Sequence, residues 1–280
     1  MTPTKAVITA ANPAERDLPL QTITDSNGET KAALQIVLDE LFGAGIESVA
    51  LVIVPGAEET YRRATGPHAD RITFLEQDQA KGYGHAILQA REFTGADSFV
   101  LLVGDHLYLS HGDASCVSQL LAAAAKHEGP VSAVQATHES KLHLYGTVGA
   151  TRVPASEHTF EVNSIVEKPS PTLAEQELII PGLRHGNYLC FFGMHVMPGK
   201  LMDLLAEQMV HLAEDARLGL SPALATLATN TDYLAVELNG TRFNLGERYG
   251  VLRAQVALAL AGPHRDEVLT SLIELLAAQR

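Results

Sequence analysis

Three stretches in the first half of the chain, Lys5–Ala11, Ser48–Val54 and Ser98–Val103, are almost continuously apolar and rich in β-branched side chains. Each reads as a buried strand. A helical pattern over Thr30 to Ala44 lies between the first two, with Ala33, Ile36, Val37, Leu41 and Phe42 at helical spacing before Gly45. Arg71–Leu75 reads as a shorter strand and Gly84–Glu92 as a helix. Strand and helix alternating this way demand right-handed crossovers and a mainly parallel sheet flanked by helices, an α/β fold. The second half changes character. Val131–Thr137, Tyr145–Val153, Thr159–Val166 and Asn187–Val196 are strand candidates with few helices between them, which predicts a mixed sheet. Helices are expected at Gly199–Ala213 and Ser221–Thr229, then a strand at Asp232–Glu237. Two C-terminal helices follow, Glu247–Leu260 and His264–Ala278, broken at Gly262-Pro263 and read as core or as an oligomer contact. The simplest organisation is one domain over 1–280, with a first half to about 115, a second half from about 130 to 246, and the terminal helices from 247.

Hydrophobic residues at 46% and charged residues at 19% suffice for a sizeable core. A formal net charge of -13 argues against nucleic acid or an anionic membrane as a partner. It leaves a nucleotide ligand open, because local cations and a metal ion outweigh a global field at short range. Cys116 and Cys190 lack C-x-x-C spacing and read as reduced core residues. No apolar run is long enough to span a bilayer, and the N-terminus lacks a secretory pattern. A cytoplasmic protein is expected.

Chemistry concentrates at strand ends. Glu76-Gln-Asp-Gln-Ala-Lys-Gly-Tyr-Gly-His-Ala86 lies between a strand and a helix, where α/β sheets place ligands. Two glycines one residue apart let backbone approach a flat ligand, or simply make a turn. Asp105 follows an apolar strand within Val103-Gly-Asp-His106. A carboxylate there suits Mg²⁺ or caps the next turn. Tyr145-Gly146 and Val166-Glu-Lys-Pro169 place a carboxylate for hydroxyl donors and an ammonium for a phosphate. Alone, the second is an ordinary strand end.

In their shared order these segments resemble the sugar-1-phosphate nucleotidyltransferases, most closely the bacterial UTP–glucose-1-phosphate uridylyltransferases. The near-contiguous match is to that family's A-K-G-x-G-H-A, supported by its Y-G-V and V-E-K-P segments. The resemblance implies a Rossmann-like nucleotidyltransferase fold. It implies that Gln77 and Gly82 contact uracil, with Ala11 a third nucleotide-binding position. It implies that Asp105 binds Mg²⁺, that Gly146 and Glu167 hold sugar hydroxyls, and that Lys168 pairs with the sugar phosphate. UTP or a UDP-sugar, and glucose 1-phosphate or a similar sugar phosphate, are the implied ligands. A homo-oligomer is the implied assembly.

The chain departs from the family pattern at two places. The family follows its first strand with G-x-G-T-R-x-x-P and a later K-E-M lysine. Here the stretch is Ala11-Asn-Pro-Ala-Glu-Arg-Asp-Leu-Pro19, in which only Arg16, carried over as catalytic, and Pro19 match. Both glycines are replaced, Pro13 has no amide hydrogen, and Glu15 and Asp17 add negative charge. The K-E-M lysine has no counterpart, and Lys31 matches a later D-K-P lysine at the first helix. Near the C-terminus Asn244 stands where the family has its second metal-binding Asp, as a weaker ligand, a ribose contact or a turn residue. Two readings follow. The protein transfers a uridylyl group from UTP to glucose 1-phosphate, with Arg62, Arg63 or Arg242 replacing lost cations. Alternatively it is an impaired relative that binds a sugar nucleotide or sugar phosphate as a sensor or regulatory subunit.

Overall fold

The computed structural model describes residues 1–154 and 156–278. A nine-stranded sheet runs through both halves of the chain, in the order Ile72–Glu76, Ser48–Ile53, Lys5–Ala10, Phe99–Val103, Asn187–Met197, Val131–His138, Leu234–Glu237, Thr159–Glu167, Gly146–Arg152. The first four strands are parallel. The Asn187–Met197 strand reverses direction against Phe99–Val103 and opens the mixed half. It also pairs with Gly146–Arg152 through Leu189 and Cys190, so the far end of the sheet curls back onto its middle.

Alternating strand residues feed two cores. Ala6, Ile8, Leu51, Val100 and Leu102 pack under the helices Ala33–Gly43, Cys116–Ala124 and Gly250–Ala261. Val7, Ala50, Val52, Phe99 and Leu101 pack on the other face, under Tyr83–Leu88, Lys200–Val210 and Ser221–Asn230. Each fully buried Leu, Ile or Phe contributes roughly 1.5–3 kcal/mol, so both layers are required. Cys116 and Cys190 are free and buried. Among the described residues no helix is long and apolar enough to cross a membrane.

The differences from expectation have local causes. Thr30–Ala32 is a strand paired with Thr22–Thr24, and the helix begins only at Ala33. Asp25 accepts the backbone N–H of Asn27 and Glu29, which closes the turn, and Lys31 is clamped among Asp25, Glu29 and Asp39. The expected Gly84–Glu92 helix is two pieces, Tyr83–Leu88 and Arg91–Thr94. The helices Glu58–Ala64, Cys116–Ala124 and Pro171–Glu177 had no sequence forecast. Neither had the two-stranded ribbon of His106–Ser110 and Gly240–Asn244. The last helix, Arg265–Ala277, buries none of its residues, so it is not core. Ile273, Leu275 and Leu276 are exposed on it.

Candidate active site

A cleft of about 740 Å³ lies over the carboxyl ends of the parallel strands. Of the site residues expected from sequence, it gathers Ala11, Gln77, Gly82, Asp105, Gly146, Glu167, Lys168 and Asn244. Arg16 is the exception. It is absent from the cleft wall, its side chain is 58% exposed, and its guanidinium lies near Asp17. Its carbonyl accepts from the Tyr61 hydroxyl at 2.7 Å, which ties the backbone to the Glu58–Ala64 helix.

Gln77 is buried at one end of the cleft. Its amide donates to the Gly82 carbonyl at 3.1 Å and to His85 Nδ1 at 2.9 Å. Burial, then the nearby Lys81, lower the His85 pKa, which suits the acceptor role of Nδ1. Gly82 has φ +106°, and a Cβ there would sit 2.5 Å from the Leu218 carbonyl oxygen. Lys81 and Gly84 exchange backbone hydrogen bonds with Leu218 at 2.7 and 2.8 Å. The two glycines therefore admit the 217–219 segment as a second wall. That wall brings Arg217 and Ser221 to the cleft, and no sequence motif marked either.

At the centre, Asp105 Oδ1 accepts from His106 Nδ1 at 2.8 Å. Burial pushes its pKa up, but His106 and the Lys168 charge outweigh that and hold it below the usual carboxylate range. Asn244 pairs with His106 across the ribbon. Its side-chain carbonyl accepts the Gly246 N–H at 2.8 Å, so the turn expected as one alternative is formed. An N–H donor requires the oxygen at that position, which leaves the Asn244 NH₂ to the cleft.

Glu167 and Lys168 form the other end. A Gly146 Cβ would lie 3.1 Å from Glu167 Oε2 and 2.8 Å from the Phe191 ring, so glycine there admits the carboxylate. Ser221 Oγ donates to that same oxygen at 2.6 Å. Lys168 adopts φ +47°, a conformation a non-glycine residue holds only when its surroundings impose it. The neighbouring Tyr145 donates to Glu247 Oε1 at 2.7 Å, and Lys141 and Arg253 pair with Glu247 Oε2. Burial opposes ionisation of Glu247, but Lys141, Tyr145 and Arg253 bring its pKa down to about 2.

The three spare arginines do not replace the lost cations. Arg62 pairs with Glu58, Arg63 reaches the Glu59 carbonyl, and neither lines the cleft. Arg242 is buried against the Tyr145 ring at 3.7 Å, donating to the Cys190 and Phe191 carbonyls. His195 also reaches the cleft, on the central antiparallel strand.

The residues fit Mg²⁺ in a reduced way. Asp105 offers one carboxylate, and Mg²⁺ is often held by one carboxylate plus ligand phosphates and water. Asn244 adds no charge, and its oxygen, which already accepts one N–H, has one lone pair left. Among the described residues no three His, Cys, Asp or Glu side chains gather into a ligand set.

A cleft outside the carboxyl ends of the strands is where such α/β sheets hold ligands, and the nucleotidyl transferase family model matches residues 25–242. The chain belongs to that family. The match begins beyond the Ala11–Pro19 loop, the stretch in which the family pattern is lost. Among relatives, the chain is 26% identical over 306 residues to the UTP–glucose-1-phosphate uridylyltransferase of Staphylococcus epidermidis, covering 97% of this chain and 98% of that protein. It is 27% identical over 308 residues to a uridylyltransferase of Staphylococcus saprophyticus, at 97% coverage of both. Its fold matches that of UDP-glucose pyrophosphorylase from Acinetobacter baumannii with a TM-score of 0.74 at 23% identity, covering 98% of this chain and 100% of that one. A UDP-glucose pyrophosphorylase complexed with UDP-glucose matches at 0.73 and 22%, covering 92% and 98%.

Proposed function

We propose that the protein is a uridylyltransferase acting on UTP and glucose 1-phosphate. The observation that carries this reading is the convergence of Gln77 and Gly82, Asp105, and Gly146, Glu167 and Lys168 on one cleft. The full-length relatedness to UTP–glucose-1-phosphate uridylyltransferases supports it. In this reading Gln77 and the Gly82 backbone hold the base, and Glu167 orients sugar hydroxyls. Lys168 fixes the sugar phosphate, so its oxygen is in line with the α-phosphorus. The oxygen–phosphorus bond forms as the bond to pyrophosphate breaks, and catalysis is chiefly positioning. Mg²⁺, when bound at Asp105, supplies positive charge to the phosphates. The same reading places the protein in the cytoplasm, with the exposed apolar residues of the last helix available for self-association.

A second reading, a sugar-nucleotide binder with impaired chemistry, is favoured by the Asn244 turn and by the absence of Arg16 from the cleft. Pyrophosphate release with Mg²⁺, UTP and glucose 1-phosphate separates the two. Release above background establishes transfer, whereas no release beside saturable UDP-glucose binding establishes the second reading. Lys168→Ala is expected to weaken UDP-glucose binding by about 10- to 100-fold, the loss of one or two charge-assisted contacts. A calorimetric titration in which the variant binds as tightly as the parent removes Lys168 from the site.

A further inference from the structure

Residues 217–221 touch both ends of the cleft. At the Gly82 end, Leu218 N–H donates to the Lys81 carbonyl at 2.7 Å, and Gly84 N–H donates to the Leu218 carbonyl at 2.8 Å. Leu218 and Leu220 are buried in the second core, beside Ala223, Leu224 and Leu227 of the helix that follows. At the other end, Ser221 Oγ donates to Glu167 Oε2 at 2.6 Å. Ser221 is itself buried and opens the Ser221–Asn230 helix, with Pro222 next to it. Its hydroxyl is thus carried on backbone that packing and hydrogen bonds hold in place.

Glu167 has less support of its own. It is exposed at the last position of the Thr159–Glu167 strand, just before Lys168 turns to φ +47°. A glutamate side chain has several rotatable bonds, and an exposed one keeps most of its rotamer freedom unless a partner removes it. Two features confine Oε2 here. Gly146, having no Cβ, leaves the space beside it, and Ser221 supplies the donor. The bond engages Oε2 and leaves Oε1 for donors from a ligand.

We infer that Ser221 is a positioning residue of the sugar site: its hydroxyl fixes the direction of the Glu167 carboxylate, and so strengthens the hold on a sugar nucleotide through the sugar rather than through the nucleotide. This inference rests on the reading that Glu167 orients sugar hydroxyls. Without the Ser221 donor, the carboxylate has to be ordered at the moment of binding, and that cost is subtracted from the affinity for the sugar. The Gly82 end is untouched by the loss, because Leu218 keeps its backbone bonds to Lys81 and Gly84.

The test is isothermal titration calorimetry of the full chain with UDP-glucose and with UDP, each with Mg²⁺, for the parent, Ser221→Ala, Glu167→Ala and the double variant. Ser221→Ala is expected to weaken UDP-glucose binding about three- to tenfold and to leave UDP within about twofold of the parent. Retained UDP binding also shows that the variant keeps its cleft folded. Glu167→Ala is expected to weaken UDP-glucose binding at least as much, and the double variant to match Glu167→Ala alone, because Ser221 acts through the carboxylate. Equal losses for UDP and UDP-glucose in Ser221→Ala overturn the inference, as does unchanged UDP-glucose binding. So do losses that add in the double variant. If Glu167→Ala binds UDP-glucose as the parent does, the sugar-site reading of Glu167 fails and the inference falls with it. A parent that binds neither ligand overturns the uridine reading itself, with the same consequence.

Discussion

Gly82→Ala is expected to destabilise the protein by about 3–5 kcal/mol and to abolish measurable UDP-glucose binding. Two independent costs add here. At φ +106° and ψ 176° the backbone lies in a region open essentially to glycine alone, a strain of roughly 1–3 kcal/mol for any other residue. The new methyl group would also sit 2.5 Å from the Leu218 oxygen and 2.9 Å from the Leu218 nitrogen. Both obstacles are backbone, so no rotamer change relieves them. The 217–219 wall must retreat, losing its hydrogen bonds to Lys81 and Gly84, worth about 1 kcal/mol each. The Gln77 amide loses its carbonyl anchor in the same movement. Urea unfolding and a UDP-glucose titration check both halves of the expectation. An unchanged midpoint with intact binding would show that the segment carries no such constraint.

His195 is expected to make the fold sensitive to acid. This imidazole is buried on the central strand, its Nδ1 2.6 Å from Ser132 Oγ, which lies 2.6 Å from the Tyr233 hydroxyl. With the proton on Nε2, Tyr233 donates to Ser132 and Ser132 donates to Nδ1; with it on Nδ1, the chain runs the other way. Protonation makes Nδ1 an obligatory donor, which leaves Ser132 donating to Tyr233 and the Tyr233 hydroxyl without an acceptor, and it puts a charge in an apolar interior. Burial accordingly takes the His195 pKa from 6.5 down to about 3. A folded-state pKa below the unfolded value means the stabilisation is complete above about pH 6.5 and is lost as pH falls toward 3. The slope is about 1.4 kcal/mol per pH unit, summing to a few kcal/mol at most. Burial raises the Glu40 pKa to about 7, so its proton uptake offsets the loss in the same range, and the expected result is a urea midpoint of the parent that falls relative to that of His195→Gln between pH 6.5 and 5. Parallel slopes would assign acid sensitivity to other groups.

The parts of the fold that sequence made legible are those governed by continuous patterns. Apolar runs such as Ser48–Val54 have no stable home except a buried strand, and the structure puts them there. The cleft was legible where its residues sit in contiguous motifs at strand ends, as at Gln77–Gly82 and Glu167–Lys168. Contacts between distant segments left no such trace. Nothing about Arg217 or Ser221 in sequence says that they face Gly82 and Glu167, because the packing of the Lys200–Val210 and Ser221–Asn230 helices brings them there. The Thr30–Ala32 strand was hidden for a related reason. Helical spacing begins near it, and only the Asp25 turn, with its own backbone bonds, decides that the chain doubles back first. Arg16 shows the limit of matching by position: the loop around it changed, and the arginine left the cleft while keeping its place in the order.

Glu247 gives the C-terminal segment a weight that its exposed helix conceals. The carboxylate stands just ahead of the Gly250–Ala261 helix, yet it is the acceptor for Tyr145 and the counter-charge for Lys141, at the strand that starts with Gly146. Shortening the chain to Gly246 would therefore not trim a tail. It would pull the keystone from the Gly146 end of the cleft, leaving a phenol and an ammonium without their partner and the Arg242–Tyr145 stack without its buttress. A protein engineer should count Glu247 and the Gly250–Ala261 helix as part of the cleft's foundations.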